Sequence, residues 1–292
     1  MVAQTRHGGN ASGKKRLAFH EKLSGKAITT DALLKKLNTL HQQLAALEQE
    51  HVDVNSLSTV RTELIHTSLL LHKDRGVKAY TACCLADILR LYAPEAPYTQ
   101  HELRDIFQFF FRQLSAGFKG QDEPYYTEYF HLIESLSTVK SVVLVCDLPS
   151  ADELLTEIFR DLFTIAKRDF TRKVELYMAD ILIALIDECN SLPSDVLEVI
   201  MAQFIDKTVV SLLLLGSTFF RAGCLIWFCE FSSNNFFRET TNRGIDWRFR
   251  SAMEQLTNSN ATFASTSGIS LPLIHQRMAR TRIRKPPARH TT

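Results

Sequence analysis

Between Val77 and Tyr92 the chain reads VKAYTACCLADILRLY, and a helix built from it has almost no polar side. On a helical wheel Val77, Thr81, Cys84, Leu85, Ile88, Leu91 and Tyr92 share one broad face. Ala79, Ala82, Cys83 and Ala86 make a second face of small side chains. Such a helix needs neighbours on both sides, because either face left in water would forfeit its burial. Asp74 stands where an N-cap belongs, and Pro94 and Pro97 prevent continuation beyond the far end. The adjacent thiols of Cys83 and Cys84 read as small apolar fillers in this sandwiched helix. They do not have the spacing of a metal knuckle.

The rest of the chain supplies the neighbours. Thr30 and Asp31 can cap a helix carrying Leu33, Leu34, Leu37, Leu40, Leu44 and Leu47 at spacings of three and four. Further helices are expected over 57–71, 99–114, 125–145, 150–170, 171–189 and 195–207, with Phe107, Phe110, Phe111 and Leu114 on one side of the second of these. First helices of successive pairs begin near 57, 102, 153 and 196, at intervals of 45, 51 and 43 residues. The Val-x-x-Tyr at Val77 recurs at Val174, followed by apolar residues at matching positions. Only 11 Gly and 8 Pro in 292 residues argue against a turn-rich β fold. Helical hairpins recurring every 40 to 50 residues are the mark of an all-α, HEAT-type helical-repeat solenoid. Its core is expected to contain Val77, Cys84, Leu85, Ile88, Val174, Ile181 and Leu185.

Charge divides the chain into three parts. Residues 1–28 carry six basic and one acidic side chain and read as a disordered basic N-terminus. Residues 29–206 form the solenoid, with 16 basic and 27 acidic side chains. Residues 207–292 return to 12 basic against four acidic. An acidic body between basic ends excludes a nucleic-acid-binding domain over the whole length. The N-terminus lacks the apolar core of a secretory signal, and none of the six cysteines forms a C-x-x-C pair, so reduced thiols in an intracellular compartment are expected. The ten histidines, among them His41, His51, His66 and His72, have no spacing that sets two on one helical turn, so no metal site is expected. Asp180, Asp187 and Glu188 read as helix-surface carboxylates. There is no G-x-S-x-G, P-loop, dinucleotide fingerprint or H-E-x-x-H, and no enzyme is expected.

The blocks ACCLADILRLYAPEAPYT, LRDIFQFFFRQL, YFHLIESLSTVKS and IFRDLFTIAKR occur in this order. Together they closely resemble the N-terminal part of the cohesin-associated "precocious dissociation of sisters" family, over roughly residues 15–206. The resemblance implies a nuclear HEAT-repeat scaffold that is not an enzyme. Members bind the cohesin ring through its kleisin subunit, join the wings apart-like releasing factor, and help maintain sister chromatid cohesion, reaching chromatin indirectly. It also implies that an inositol polyphosphate can serve as a structural ligand. Lys73, Arg75 and Lys78, at the start of the signature helix, are the candidate basic surface.

After Lys207 the resemblance ends, and an altered reading of the gene, such as a retained intron, is expected there. Sequencing the transcript across that codon tests this. Residues 208–231 are apolar and long enough to suggest a membrane span, but Arg221 near the middle would cost about 3 kcal/mol on insertion scales. A last solenoid helix or an ill-folded apolar run is the preferred reading. The rival function is a generic helical-repeat adaptor in trafficking, anchored by this segment. Arg277, Arg280, Arg282, Arg284 and Lys285 form a basic tail suited to nucleic-acid contact or nuclear import.

Overall fold

Thr29 opens the first helix: its backbone is extended and its hydroxyl accepts from the Ala32 amide at 3.3 Å. The structure, a computed structural model, describes residues 14–25, 28–189 and 192–205. Within them are nine α-helices: α1 (Thr30–Ala45), α2 (Ser58–Leu64), α3 (Thr67–Leu70), α4 (Arg75–Tyr92), α5 (Gln100–Gly117), α6 (Tyr126–Val139), α7 (Ala151–Ala166), α8 (Arg172–Glu188) and α9 (Ser194–Ile205). The described residues hold no strand beyond a single parallel bridge between Lys15 and Val52. This is the all-α solenoid that the periodicity predicts.

Helices α1, α4, α6 and α8 pack in series as one layer, and α5, α7 and α9 as a second; the short α2 and α3 lie against α4. The signature helix α4 is the sandwiched element. Asp74 caps it, its carboxylate accepting from the Val77 amide at 2.9 Å. Both of its faces are covered: Val77, Thr81, Cys84, Leu85, Ile88 and Leu91 on one, Ala79, Ala82, Cys83 and Ala86 on the other, with Tyr92 half-buried. Val174, Ile181 and Leu185 on α8 are likewise buried, so the whole expected core set is inside. Thr99 and Glu102 start α5 with a reciprocal capping box at 2.8 and 3.3 Å.

The repeat period is visible in the polar contacts between hairpins. Cys83 Sγ donates to the Glu128 carbonyl, 45 residues on. Arg104 pairs with Glu153 and Gln108 with Glu157, each 49 apart. Ser137 donates to Asp180, 43 apart. Stacking brings position i of one hairpin against the same position of the next.

Three expectations are corrected. The helix expected over 57–71 is broken at Ile65–His66. His66 adopts an extended conformation and its Nδ1 accepts from the Ser68 amide at 3.2 Å, so a local cap displaces the continuous backbone ladder. The helix expected over 125–145 ends at Val139. Lys140 takes a left-handed conformation at φ 57°, and Ser141–Asp147 continue as a 3₁₀ turn that buries Val142 and Val145. Residues 14–25, expected to belong to a disordered terminus, are packed down. The Lys15 amide donates to the His51 carbonyl at 2.7 Å, the Leu23 amide to the Glu63 carboxylate at 2.6 Å, and Leu17, Phe19 and Leu23 are buried.

Two glycines mark close approaches. A Cβ on Gly117 would fall into the ring of Tyr129, and one on Gly76 into the ring of Tyr125. Among the described residues no single helix is long and apolar enough to cross a membrane. The 208–231 segment and the rest of the 207–292 tail lie outside the described residues.

Candidate functional site

The three cations singled out from the sequence share the start of α4 without converging. Lys73 and Arg75 are exposed and Lys78 is half-buried. The Arg75 guanidinium is engaged by Glu123 at 3.4 Å. Lys73 edges a shallow depression with Thr30, Ser68, Leu71, His72 and Asp74, so a carboxylate shares the lining with its ammonium. A polyphosphate needs several cations aimed at one point. Among the described residues, these three cations by themselves offer a basic helix start, not a cage.

A denser polar cluster lies across the layer of α1, α4 and α6. Asp87 projects from α4 with its side chain only 1% exposed, in a helix whose other buried side chains, Thr81 apart, are apolar. One oxygen, Oδ1, accepts from Arg90 Nε and Nη2 at 3.3 and 3.2 Å. Arg90 also donates to the carbonyls of Leu44 and Leu47 at 3.0 Å each, which satisfies the end of α1. The other oxygen, Oδ2, is approached by His41 Nδ1 of α1 at 3.2 Å and by His131 Nε2 of α6 at 3.4 Å. The two imidazoles meet edge to face with centroids 4.7 Å apart. His131 Nε2 is buried and, at 3.4 Å from the carboxylate, makes no geometrically regular hydrogen bond. Burial alone would raise the Asp87 carboxyl, but the imidazoles of His131 and His41 and the Arg90 charge outweigh it and bring it down to about 2. The group is therefore a buried carboxylate anion. Two imidazoles and this carboxylate are a donor set able to hold a metal ion.

Further along the same layer, α6 and α8 share a second patch. Glu134 of α6 accepts from the Tyr177 hydroxyl and pairs with Lys173 at 3.2 Å. The Lys173 ammonium sits 5.0 Å from the Phe130 ring centroid and 5.4 Å from that of Tyr177. Tyr126 and Phe130 are neighbours at 6.1 Å, and Phe130 and Tyr177 at 5.9 Å. All three rings are half-buried. The Glu134 carboxyl is held below its ordinary range by the Tyr177 hydrogen bond and by Lys173. Half-exposed aromatics around a fixed charge pair have the composition of a docking point.

The histidine reading from spacing alone missed the first cluster. No two of the ligands share a helix: His41, Asp87 and His131 are each roughly one repeat apart, so only the stacking assembles them. The signal available was Asp87 itself, a lone carboxylate in a helix read as buried on both faces. Cys83 and Cys84 are buried free thiols, as read. Cys146 and Cys189, which no sequence pattern linked, stand with sulfurs 3.8 Å apart. Asp180 and Asp187 are exposed on α8 and Glu188 ends it, as expected of surface carboxylates. Arg277, Arg280, Arg282, Arg284 and Lys285 lie outside the described residues.

Comparison with known proteins follows the fold. The family model described as sister chromatid cohesion protein PDS5 matches residues 31–218, running past Lys207 where the sequence resemblance was read to end. The Schizosaccharomyces pombe sister chromatid cohesion protein pds5 is 44% identical over 178 residues, which cover 61% of this chain and 15% of that protein. The Saccharomyces cerevisiae protein PDS5 is 40% identical over 182 residues, covering 62% and 14%. Human PDS5 homolog A is 34% identical over 180 residues, covering 61% and 13%. A solved Pds5–Scc1 complex superposes with a TM-score of 0.66 at 29% identity, over 86% of this chain and 41% of that one. This chain thus spans 15% or less of these three relatives' lengths.

Proposed function

Because the chain belongs to the PDS5 family of sister chromatid cohesion proteins, we propose that it is a cohesin-associated regulatory scaffold acting in the nucleus. It would work without bond chemistry, holding segments of the kleisin subunit and of the wings apart-like releasing factor, and so reaching chromatin through cohesin. The observation that carries this reading is the family match over residues 31–218, whose described part is a stack of helical hairpins. The likeness to a solved Pds5–Scc1 complex supports the kleisin as the first partner to test. The family assignment disfavours the trafficking adaptor.

The aromatic patch of Tyr126, Phe130 and Tyr177 is our proposed docking point for an extended segment from a cohesin partner. Rigid rings desolvate cheaply, and Lys173 and Glu134 supply orientation. The test is co-precipitation of purified kleisin subunit and releasing factor by the 292-residue chain. Capture of at least one is expected, reduced at least tenfold in the Phe130→Ala/Tyr177→Ala variant with an unchanged helical circular dichroism spectrum. Capture of neither overturns the scaffold reading; capture untouched by the variant moves the docking point elsewhere. For the inositol polyphosphate, Lys73→Glu and Lys78→Glu are the substitutions to titrate against the unaltered chain. Arg75 would first have to leave Glu123.

A further inference from the structure

We propose that His41, Asp87 and His131 bind one divalent transition-metal ion of the zinc class, clamping α1, α4 and α6 together. The donor atoms already stand near the required geometry. Ring nitrogens and carboxylate all lie within 4.8 Å of one another. A tetrahedral ion with bonds of about 2.1 Å sets ligand edges of about 3.4 Å. The two edges that meet at Asp87 Oδ2 measure 3.2 and 3.4 Å, so two of the three already match.

Three further features separate this cluster from an ordinary Asp–His contact. Both imidazoles address the same carboxylate oxygen, yet His131 Nε2 is buried without a formed hydrogen bond. An ion between the three would use the lone pair that the present contact leaves unused. The other oxygen is fixed by Arg90, itself anchored on the Leu44 and Leu47 carbonyls, so the carboxylate is oriented by an outer shell as metal ligands usually are. The side chains of His41 and His131 are 16% and 29% exposed while that of Asp87 is 1% exposed, so the carboxylate is the buried end of the cluster and the imidazoles its outer edge. Among the described residues, the exposed pairs His101–Asp105 and His51–Glu48 show none of these features. Two imidazoles favour zinc, cobalt, nickel or copper over magnesium or calcium.

Each ligand comes from a different repeat, 46 residues separating His41 from Asp87. The ion would therefore join three consecutive hairpins by coordinate bonds, where the rest of the layer is held by packing, hydrogen bonds and ion pairs. Binding would displace any proton carried by the coordinating nitrogens.

The test uses the 292-residue chain stripped with a chelator and titrated with zinc chloride alone, followed by calorimetry. Cobalt(II) serves as the optical probe. Expected are one ion per chain and cobalt ligand-field bands without a thiolate charge-transfer band. Affinity should fall at least tenfold in His41→Gln and in His131→Gln, with no change in Cys146→Ser/Cys189→Ser. Zinc should raise the thermal midpoint of the unaltered chain and not that of His131→Gln. Absence of one-site saturation, a thiolate band, or affinity unmoved by both histidine variants would overturn the proposal. If His41→Gln fails to fold, the more exposed His131 and the cobalt spectrum of the unaltered chain still decide it.

Discussion

Arg90 holds Asp87 from one turn away on α4, its guanidinium 3.2 Å from the buried carboxylate oxygen, while the same group reaches back to the Leu44 carbonyl in the last turn of α1 and the Leu47 carbonyl just beyond it. One side chain thus neutralises a charge inside the helix layer and terminates the neighbouring helix. Arg90→Leu should destabilise by about 2 to 3 kcal/mol, because the carboxylate loses its cation and two carbonyls lose their donor. Urea denaturation followed by circular dichroism checks this. Arg90→Lys should recover only part, since an ammonium cannot span both partners at once. Full recovery would mean that charge alone matters there.

The sandwiched character of α4 sets a second expectation. Leu85→Ala and Ile88→Ala should each cost about 2 to 5 kcal/mol, the range for a deleted core side chain. Cys84→Ser should also destabilise, because its sulfur lies 3.8 Å from the Leu37 carbonyl in an apolar layer where a hydroxyl would be poorly paired. Losses well below 1 kcal/mol would contradict burial on both faces.

How much of this was legible follows from what each signal can see. The Asp74 cap, the two apolar faces of α4 and the repeat interval are local or periodic properties, and a single sequence carries them. The break at His66 was not legible, because an apolar run over 57–71 looks continuous until a side chain competes for the backbone amides. Leu17, Phe19 and Leu23 were hidden by the polar composition around them, and their burial depends on Val52, Ser56 and Glu63 being nearby in space. His41 and His131 escaped for the same reason. Their common partner is a repeat away from each, and spacing within one helix says nothing about a neighbour in the stack.

Gly117 offers a test of interhelix distance. The Tyr129 side chain, buried to 1% exposure, occupies the space where a methyl would go, so it cannot swing out to make room. Gly117→Ala should lower stability by about 1 to 3 kcal/mol through overpacking, although alanine is the better helix former. A thermal midpoint at or above that of the unaltered chain would show that α5 and α6 approach less closely than described.

Glu134 supplies a pH dependence. Its carboxyl is depressed in the folded chain by the Tyr177 hydroxyl and Lys173, so it favours folding above its ordinary value of 4.5. That contribution is lost as pH falls through the lower, folded value. Glu134→Gln should therefore flatten the acid limb of the stability profile and leave the neutral region little changed, the pair being largely solvated. An acid limb identical in both proteins would remove the pair from any role in holding α6 to α8.

The packed segment 14–25 has a practical consequence for handling the protein. Its amides at Lys15, Leu17 and Leu23 are tied to His51, Ser56 and Glu63, so it works as a doorstop wedged against the first repeat. Trimming the chain back to Thr29 would strip three buried apolar side chains and leave a sticky, unshielded face where soluble protein is wanted.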